Sequence, residues 1–399
     1  MPLTNLPIPP EFQADLEPTT PLDTRSTDEI LASIAHPPAV TSEKNIWAFW
    51  HAGLSAAPQW CRRNIADWQR ICGPEWTIRV LDTVPGSPSN ALNFVPPDML
   101  PETFVQGTMA GPYVGPHSAD FLRGACLVLH GGVFMDVGIL LIRSLDRICW
   151  SQLEDPSSPF RVSVPCMFEN VLANHFVAAR KADPLVTRWH ELFLHVWENR
   201  TSYEGITQHP LFAFMAGMDL SKSAANGFGW EFVVENGTVF DYVGQVMAWL
   251  RLCLLDDAGD GFSCADYAVR NVLWFEVLGE NWGVESKVGF HGQDAFDVLA
   301  TRTDADPASE EYQRAYETVW HVLTQCSMQK VVHGKNLTKT PALGLLWEME
   351  GNEGADVAPG TFAEVLRYGT VHLRQKRRGI RCVTVDKPEQ TLRKGVLEA

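Results

Sequence analysis

The stretch His117-Ser118-Ala119-Asp120-Phe121-Leu122-Arg123, followed by His130-Gly131-Gly132-Val133-Phe134-Met135-Asp136-Val137-Gly138, decides the fold. Asp120 and Arg123 stand at a spacing that places both on one face of a helix predicted over 118–130. The pair Gly131-Gly132 permits a sharp reversal, sending a strand over 133–136 back alongside that helix. Asp136 then ends the strand, at the carboxyl edge where ligands bind in open α/β sheets. Two acids and an arginine gathered there suit a sugar diphosphate. Ionised carboxylates accept hydroxyl hydrogen bonds, and a metal or cationic side chain stabilises charge growing on a leaving phosphate.

Working outward, Asn45-Ile46-Trp47-Ala48-Phe49-Trp50 reads as a strand that ends in the turn-forming His51-Ala52-Gly53. Residues 60–71 read as a helix with Trp60, Asn64, Trp68 and Ile71 near one face, and 76–81 as a buried strand ending at Asp82. Strand, helix, strand implies a parallel sheet with a right-handed crossover. The Pro- and Gly-rich segment 85–116 reads as loop, and 139–142 as another short strand. Helices predicted over 182–199, 241–255, 264–278 and 310–325 make the second half mainly helical. The expected division is a loosely held arm over 1–44, a core over 45–220, a helical region over 221–375 that completes the cleft, and a basic tail over 376–399 docked on the acidic body. Within the arm, Ser26-Thr27-Asp28-Glu29-Ile30-Leu31 is the one helix-like piece.

A chain of 399 residues, 45% of them hydrophobic, can bury one large core or two smaller ones. Its 32 basic and 48 acidic residues leave a net charge of -16, a field that repels phosphate polymers and argues against a nucleic-acid partner. The 9 cysteines are scattered, without a C-x-x-C pair, which points to a reducing compartment and away from structural zinc. No cationic segment followed by an apolar run opens the sequence. The longest apolar stretch, 124–142, is broken by His130, Asp136 and glycines, so no membrane span is predicted. A soluble, cytoplasmic protein is the expectation.

The succession Ser-Asp-x-x-Arg, Gly-Gly, an apolar-aromatic-apolar triplet and Asp-x-Asp marks the sugar-binding region of the DXD-type retaining glycosyltransferases, which this sequence resembles. That group includes fungal mannosyltransferases, capsular-polysaccharide-synthesis enzymes and glucosylating bacterial toxins. Here the matching residues are Ser118, Asp120, Arg123, Gly131-Gly132, Val133-Phe134-Met135 and Asp136-Val137-Gly138. The opening 46–51, with Pro58, Trp68, Trp76 and Val80-Leu81-Asp82, is similar to the first nucleotide-binding unit of the capsular branch. The resemblance covers residues 45–150. It implies an α/β, GT-A-like fold: a mainly parallel sheet flanked by helices, with a helical C-terminal extension. It further implies a nucleoside diphosphate sugar donor and transfer, with retention, to an unidentified acceptor, a glycan or small natural product. Position by position, Asp120 and Arg123 would hold donor-sugar hydroxyls and Asp136 the ribose and sugar. Gly131 and Gly132 would shape the donor site, and Trp47 or Trp50 would stack on the base. Two positions depart from the pattern. Gly138 stands where the second Asp ligates manganese or magnesium, so a divalent cation would keep Asp136 alone of that pair, and Ala119 adds a residue between Ser118 and Asp120.

Farther along, Lys330, His333, Lys335 and Lys339 gather in an otherwise acidic chain. They are candidates to surround the leaving diphosphate and supply part of the missing metal charge, or else form a solvated loop offsetting nearby acids. Asp256-Asp257-Ala258-Gly259-Asp260 matches D-D-x-x-D and resembles the metal-binding acids of class I terpene cyclases. On that alternative Asp256, Asp257 and Asp260 hold magnesium, and a repurposed scaffold acts on a prenyl diphosphate. A third alternative is a non-catalytic binding protein that uses its Trp- and Phe-rich surface or its basic tail. His190 and His195 are too far apart around a helix for a zinc site.

Overall fold

The computed structural model describes residues 3, 5–168, 170–221, 223–333 and 336–399. In chain order the elements that build the site are β1 (Asn45–Phe49), α1 (Gln59–Cys72), β2 (Thr77–Leu81), α2 (Val114–His130), β3 (Gly132–Met135), β4 (Ile139–Leu141), β5 (Val162–Met167), β6 (Phe176–Ala179), α3 (Pro184–Val196), α4 (Gly244–Leu254), β7 (Val272–Glu276), α5 (Glu310–Gln325) and β8 (Met328–Lys330). The central sheet runs β7-β5-β6-β3-β1-β2. β1 is parallel to β2 and β3, and β7 is parallel to β5. β6 alone of this path is antiparallel to its neighbours, β3 and β5. The mainly parallel sheet expected from the first strand-helix-strand unit is therefore present.

Side chains of β1 alternate between two cores, as the period of a strand requires. Trp47 and Phe49 join Phe121, Trp189 and Trp249 beneath α2, α3 and α4. Ile46 and Ala48 join Ile65, Trp68 and Trp76 on the α1 side. Covered on both faces, the strand reads as a continuous apolar run, as parallel strands do. A third cluster, with Trp320 and Leu323 of α5 and Phe362, packs beside the sheet.

Two expectations are corrected. The helix predicted over 264–278 ends at Asn271, and Val272-Leu273-Trp274-Phe275 becomes β7, because this buried β-branched and aromatic run pairs in parallel with β5 as the end strand of the central sheet. The short strand expected at 139–142 forms as β4, and it pairs antiparallel with β8, outside the central sheet. Nor is the arm loosely held. Leu16–Pro18 pairs with Leu373–Gln375, and the helix Thr27–Ile34, capped by Ser26 and Glu29, buries Ile30, Leu31 and Ile34. The tail lies on acids as charge complementarity requires: Arg377 meets Glu280 at 2.6 Å, and Lys387 meets Asp266 at 3.1 Å. Among the described residues no helix is long and apolar enough to cross a membrane.

Candidate functional site

The reversal between α2 and β3 sets the geometry. Gly131 and Gly132 both take positive φ, 70° and 104°, and a Cβ on Gly132 would collide with the Asn45 carbonyl oxygen. The chain thus turns back tightly, so β3 runs antiparallel under α2 and carries Asp136 to a point beneath Asp120 and Arg123. Arg123 Nη1 donates to Asp120 Oδ1 and to Gln245 Oε1, and its Nη2 donates to Asp136 Oδ1 at 3.1 Å. Lys330 Nζ, at the end of β8, donates to Asp136 Oδ2 at 2.9 Å. Asn174 Nδ2 bridges Asp120 Oδ1 and Gln245 Oε1, both at 3.1 Å. His117 Nδ1 lies 3.4 Å from the other Asp120 oxygen.

Two carboxylates and two cations share this small volume, and pairing is what lets buried charges persist. Burial alone would raise the Asp136 pKa, but Lys330 and Arg123 outweigh it and hold the carboxyl below its ordinary value. Burial, helped by the Lys330 charge, lowers the neighbouring His175 to about 3, so its imidazole is neutral. Burial also pushes up the Tyr242 hydroxyl, and Asp120 adds to the effect.

A cavity of about 960 Å³ opens here, at the carboxyl edge of β1 and β3. Asp120, Arg123, Asp136, Lys330, His333 and Trp50 all line it. Aromatic side chains also line it, among them Trp230, Phe232, Trp282 and Phe290. Several predicted residues lie elsewhere. Trp47 is sealed in the core, donates its indole N–H to the Gly131 carbonyl at 2.9 Å and stacks on His130, so Trp50 is the first-strand tryptophan within reach of a ligand. Gly131 and Gly132 sit at the opposite end of β3 from Asp136, where they make the turn and line no part of the cavity. Lys339 points to solvent, 70% exposed, near Glu231. His333 pairs with Glu348 at 2.7 Å. Lys335 lies outside the described residues.

The D-D-x-x-D acids are absent from the cavity wall. Asp256 pairs with Lys387, Asp260 with Arg188, and Asp257 accepts the Gly259 and Gly261 amides of the turn. Each acid already serves a surface cation or a turn, which corrects the magnesium alternative. Among the described residues no group of three or more His, Cys, Asp or Glu side chains is placed to hold a metal ion.

Gln245 and Asn174 were not foreseen as site residues. A signal existed for Gln245: a lone amide at the head of the apolar run Val246-Met247-Ala248-Trp249 must find a buried partner.

Residues 22–223 match the family described as Capsular polysaccharide synthesis protein. The chain belongs to that family. This capsular polysaccharide synthesis family member is 50% identical to Probable glycosyltransferase FCK3 of Fusarium pseudograminearum (strain CS3096), over 98% of this chain and 99% of that protein. It is 37% identical to the O-glycosyltransferase PaGT of Phomopsis amygdali, over 92% and 91% of the two chains. To the O-glycosyltransferase braB of Annulohypoxylon truncatum it is 35% identical, over 98% and 94%. With such relatives along its length, this family member is a glycosyltransferase.

Proposed function

We propose that this glycosyltransferase moves a sugar from a nucleoside diphosphate sugar to an acceptor hydroxyl, with retention, on a GT-A-type core. The observation that carries the reading is the convergence of Asp120, Arg123 and Asp136 in one cavity at the carboxyl edge of the mainly parallel sheet. Asp120 presents carboxylate oxygens to donor-sugar hydroxyls, Arg123 fixes that carboxylate, and Asp136 takes ribose or sugar hydroxyls. Trp50 offers its ring to the base. The acceptor oxygen attacks the anomeric carbon from the face the diphosphate leaves, and the departing phosphate oxygen takes the acceptor proton. No enzymic nucleophile is needed.

The aromatic part of the cavity lining favours an acceptor with an apolar body, such as a small natural product of secondary metabolism, over a polyhydroxylated glycan.

Arg123 is a poor first target. It is 2% exposed, and its truncation would strand two carboxylates, a loss of about 3–5 kcal/mol that would confuse folding with chemistry. The isosteric Asp120→Asn keeps the shape. Against a panel of UDP- and GDP-hexoses, D120N should cut donor hydrolysis by about 100-fold while the thermal midpoint moves by only about 5 °C or less. Undiminished turnover in a folded D120N protein would remove Asp120 from the site.

A further inference from the structure

Gly138 stands where the family pattern places its second metal-binding carboxylate, two residues after Asp136. A Cβ on Gly138 would stand 2.5 Å from the Val331 carbonyl oxygen and 3.3 Å from Lys330 Nζ. The Val331 amide also donates to the Gly138 carbonyl at 2.8 Å, so the chain leaving β8 lies flat against this residue. The space a metal-binding carboxylate would occupy is thus filled by backbone. What the glycine admits is the lysine. Lys330 Nζ takes one oxygen of Asp136 at 2.9 Å, while Arg123 takes the other at 3.1 Å. A divalent ion reaching Asp136 would have to displace one cation and sit beside a second, with a single carboxylate as its anionic ligand. These residues do not fit a metal site.

We infer that Lys330 replaces the divalent cation, and that transfer by this enzyme is independent of metal. This rests on the nucleotide-sugar reading above. The lysine is 14% exposed at the side chain and lines the cavity, and of its three N–H donors one is held by Asp136, leaving two with which it can meet a diphosphate. In the transfer step the bond from the anomeric carbon to the β-phosphate oxygen breaks, and its electron pair stays on that oxygen. The acceptor oxygen forms the new bond to the same carbon, and its proton passes to the leaving diphosphate. Lys330 keeps its proton throughout and balances the charge that grows on the phosphate. The glycine at 138 and the lysine at 330 therefore form a matched pair, one vacating the position the other serves.

The test uses the full chain, stripped with EDTA, and the UDP- and GDP-hexose panel, with donor binding read by calorimetry and donor hydrolysis by nucleotide release. The stripped enzyme should keep at least about half of its hydrolysis rate, and added manganese or magnesium should change it by less than about twofold. Lys330→Met should lower hydrolysis by about 100-fold, with Lys330→Arg recovering part of the loss because it restores the charge. The EDTA arm needs no variant, so it stands even if K330M fails to fold. Hydrolysis that EDTA abolishes and manganese restores, with donor binding intact, overturns the lysine assignment and leaves the donor reading standing. A panel in which no donor binds overturns both.

Discussion

Glu285 lies in the cavity wall with its carboxyl buried, and burial lifts its pKa to about 7 against partial compensation from Gln329 and Lys330. The unfolded group ionises near 4.5. Between these values the folded chain keeps a proton the unfolded chain has released, so stability falls as pH rises from about 5 to about 7, by on the order of 3 kcal/mol. Glu285→Gln removes that titration and keeps an oxygen for the Gln329 amide. Denaturant unfolding at pH 5 and pH 8 should show the variant gaining about 2–3 kcal/mol relative to wild type at the higher pH. A difference that stays constant between the two would contradict the burial account. At this scale the sequence was legible where spacing is local. Asp120, Arg123 and Asp136 meet because one helix, one turn and one strand separate them. Asn174 comes from a distant segment with no local signature, and Gln245 shows in the sequence only as a lone amide heading an apolar run, with nothing local to name its partner. The choice between Trp47 and Trp50 turned on which residue outlasts the strand: Trp47 lies inside β1 and is buried, whereas Trp50 follows its last residue at the sheet edge.

The element that places the site is the α2-β3 reversal, and Gly132 bears its constraint. Gly132→Ala would force a side chain into φ 104° and against the Asn45 carbonyl oxygen of the neighbouring strand. Urea unfolding should show a loss of at least about 2 kcal/mol, since neither the dihedral nor the backbone contact can relax cheaply. A change below about 0.5 kcal/mol would mean that the turn is not tightly determined. Elements with strong local grammar read well from sequence. α5 follows a Ser309 cap whose hydroxyl accepts the Tyr312 amide, and its predicted limits match those observed. Where the grammar is ambiguous, the reading failed. The 264–278 segment begins as a capped helix after Ser263 and continues into a buried apolar run, and such a run fits helix or strand until a partner is known. The partner is β5, about a hundred residues earlier, and only the assembled sheet reveals it.

At the scale of the molecule, one cavity joins walls from α2, the end of β3, the start of α4 and the end of β8. Charged side chains at the sheet edge and aromatic side chains line the same cavity, so a diphosphate sugar and an apolar acceptor would each find matching chemistry. The first half of this arrangement was readable because the sheet-forming unit is sequential. Of the second half only the cation was readable, Lys330 in its basic cluster, because the return of β8 to Asp136 is a long-range pairing. The direct check on the whole account is hydrogen-deuterium exchange of the full chain, with and without the tightest-binding donor of the UDP- and GDP-hexose panel. Slowed exchange is predicted in 114–123, 135–139, 239–247 and 329–333, with the acidic turn at 256–262 unaffected. Protection that bypasses the first two of these segments, or that centres on the acidic turn, would contradict the claim that Asp120, Arg123 and Asp136 form the donor site.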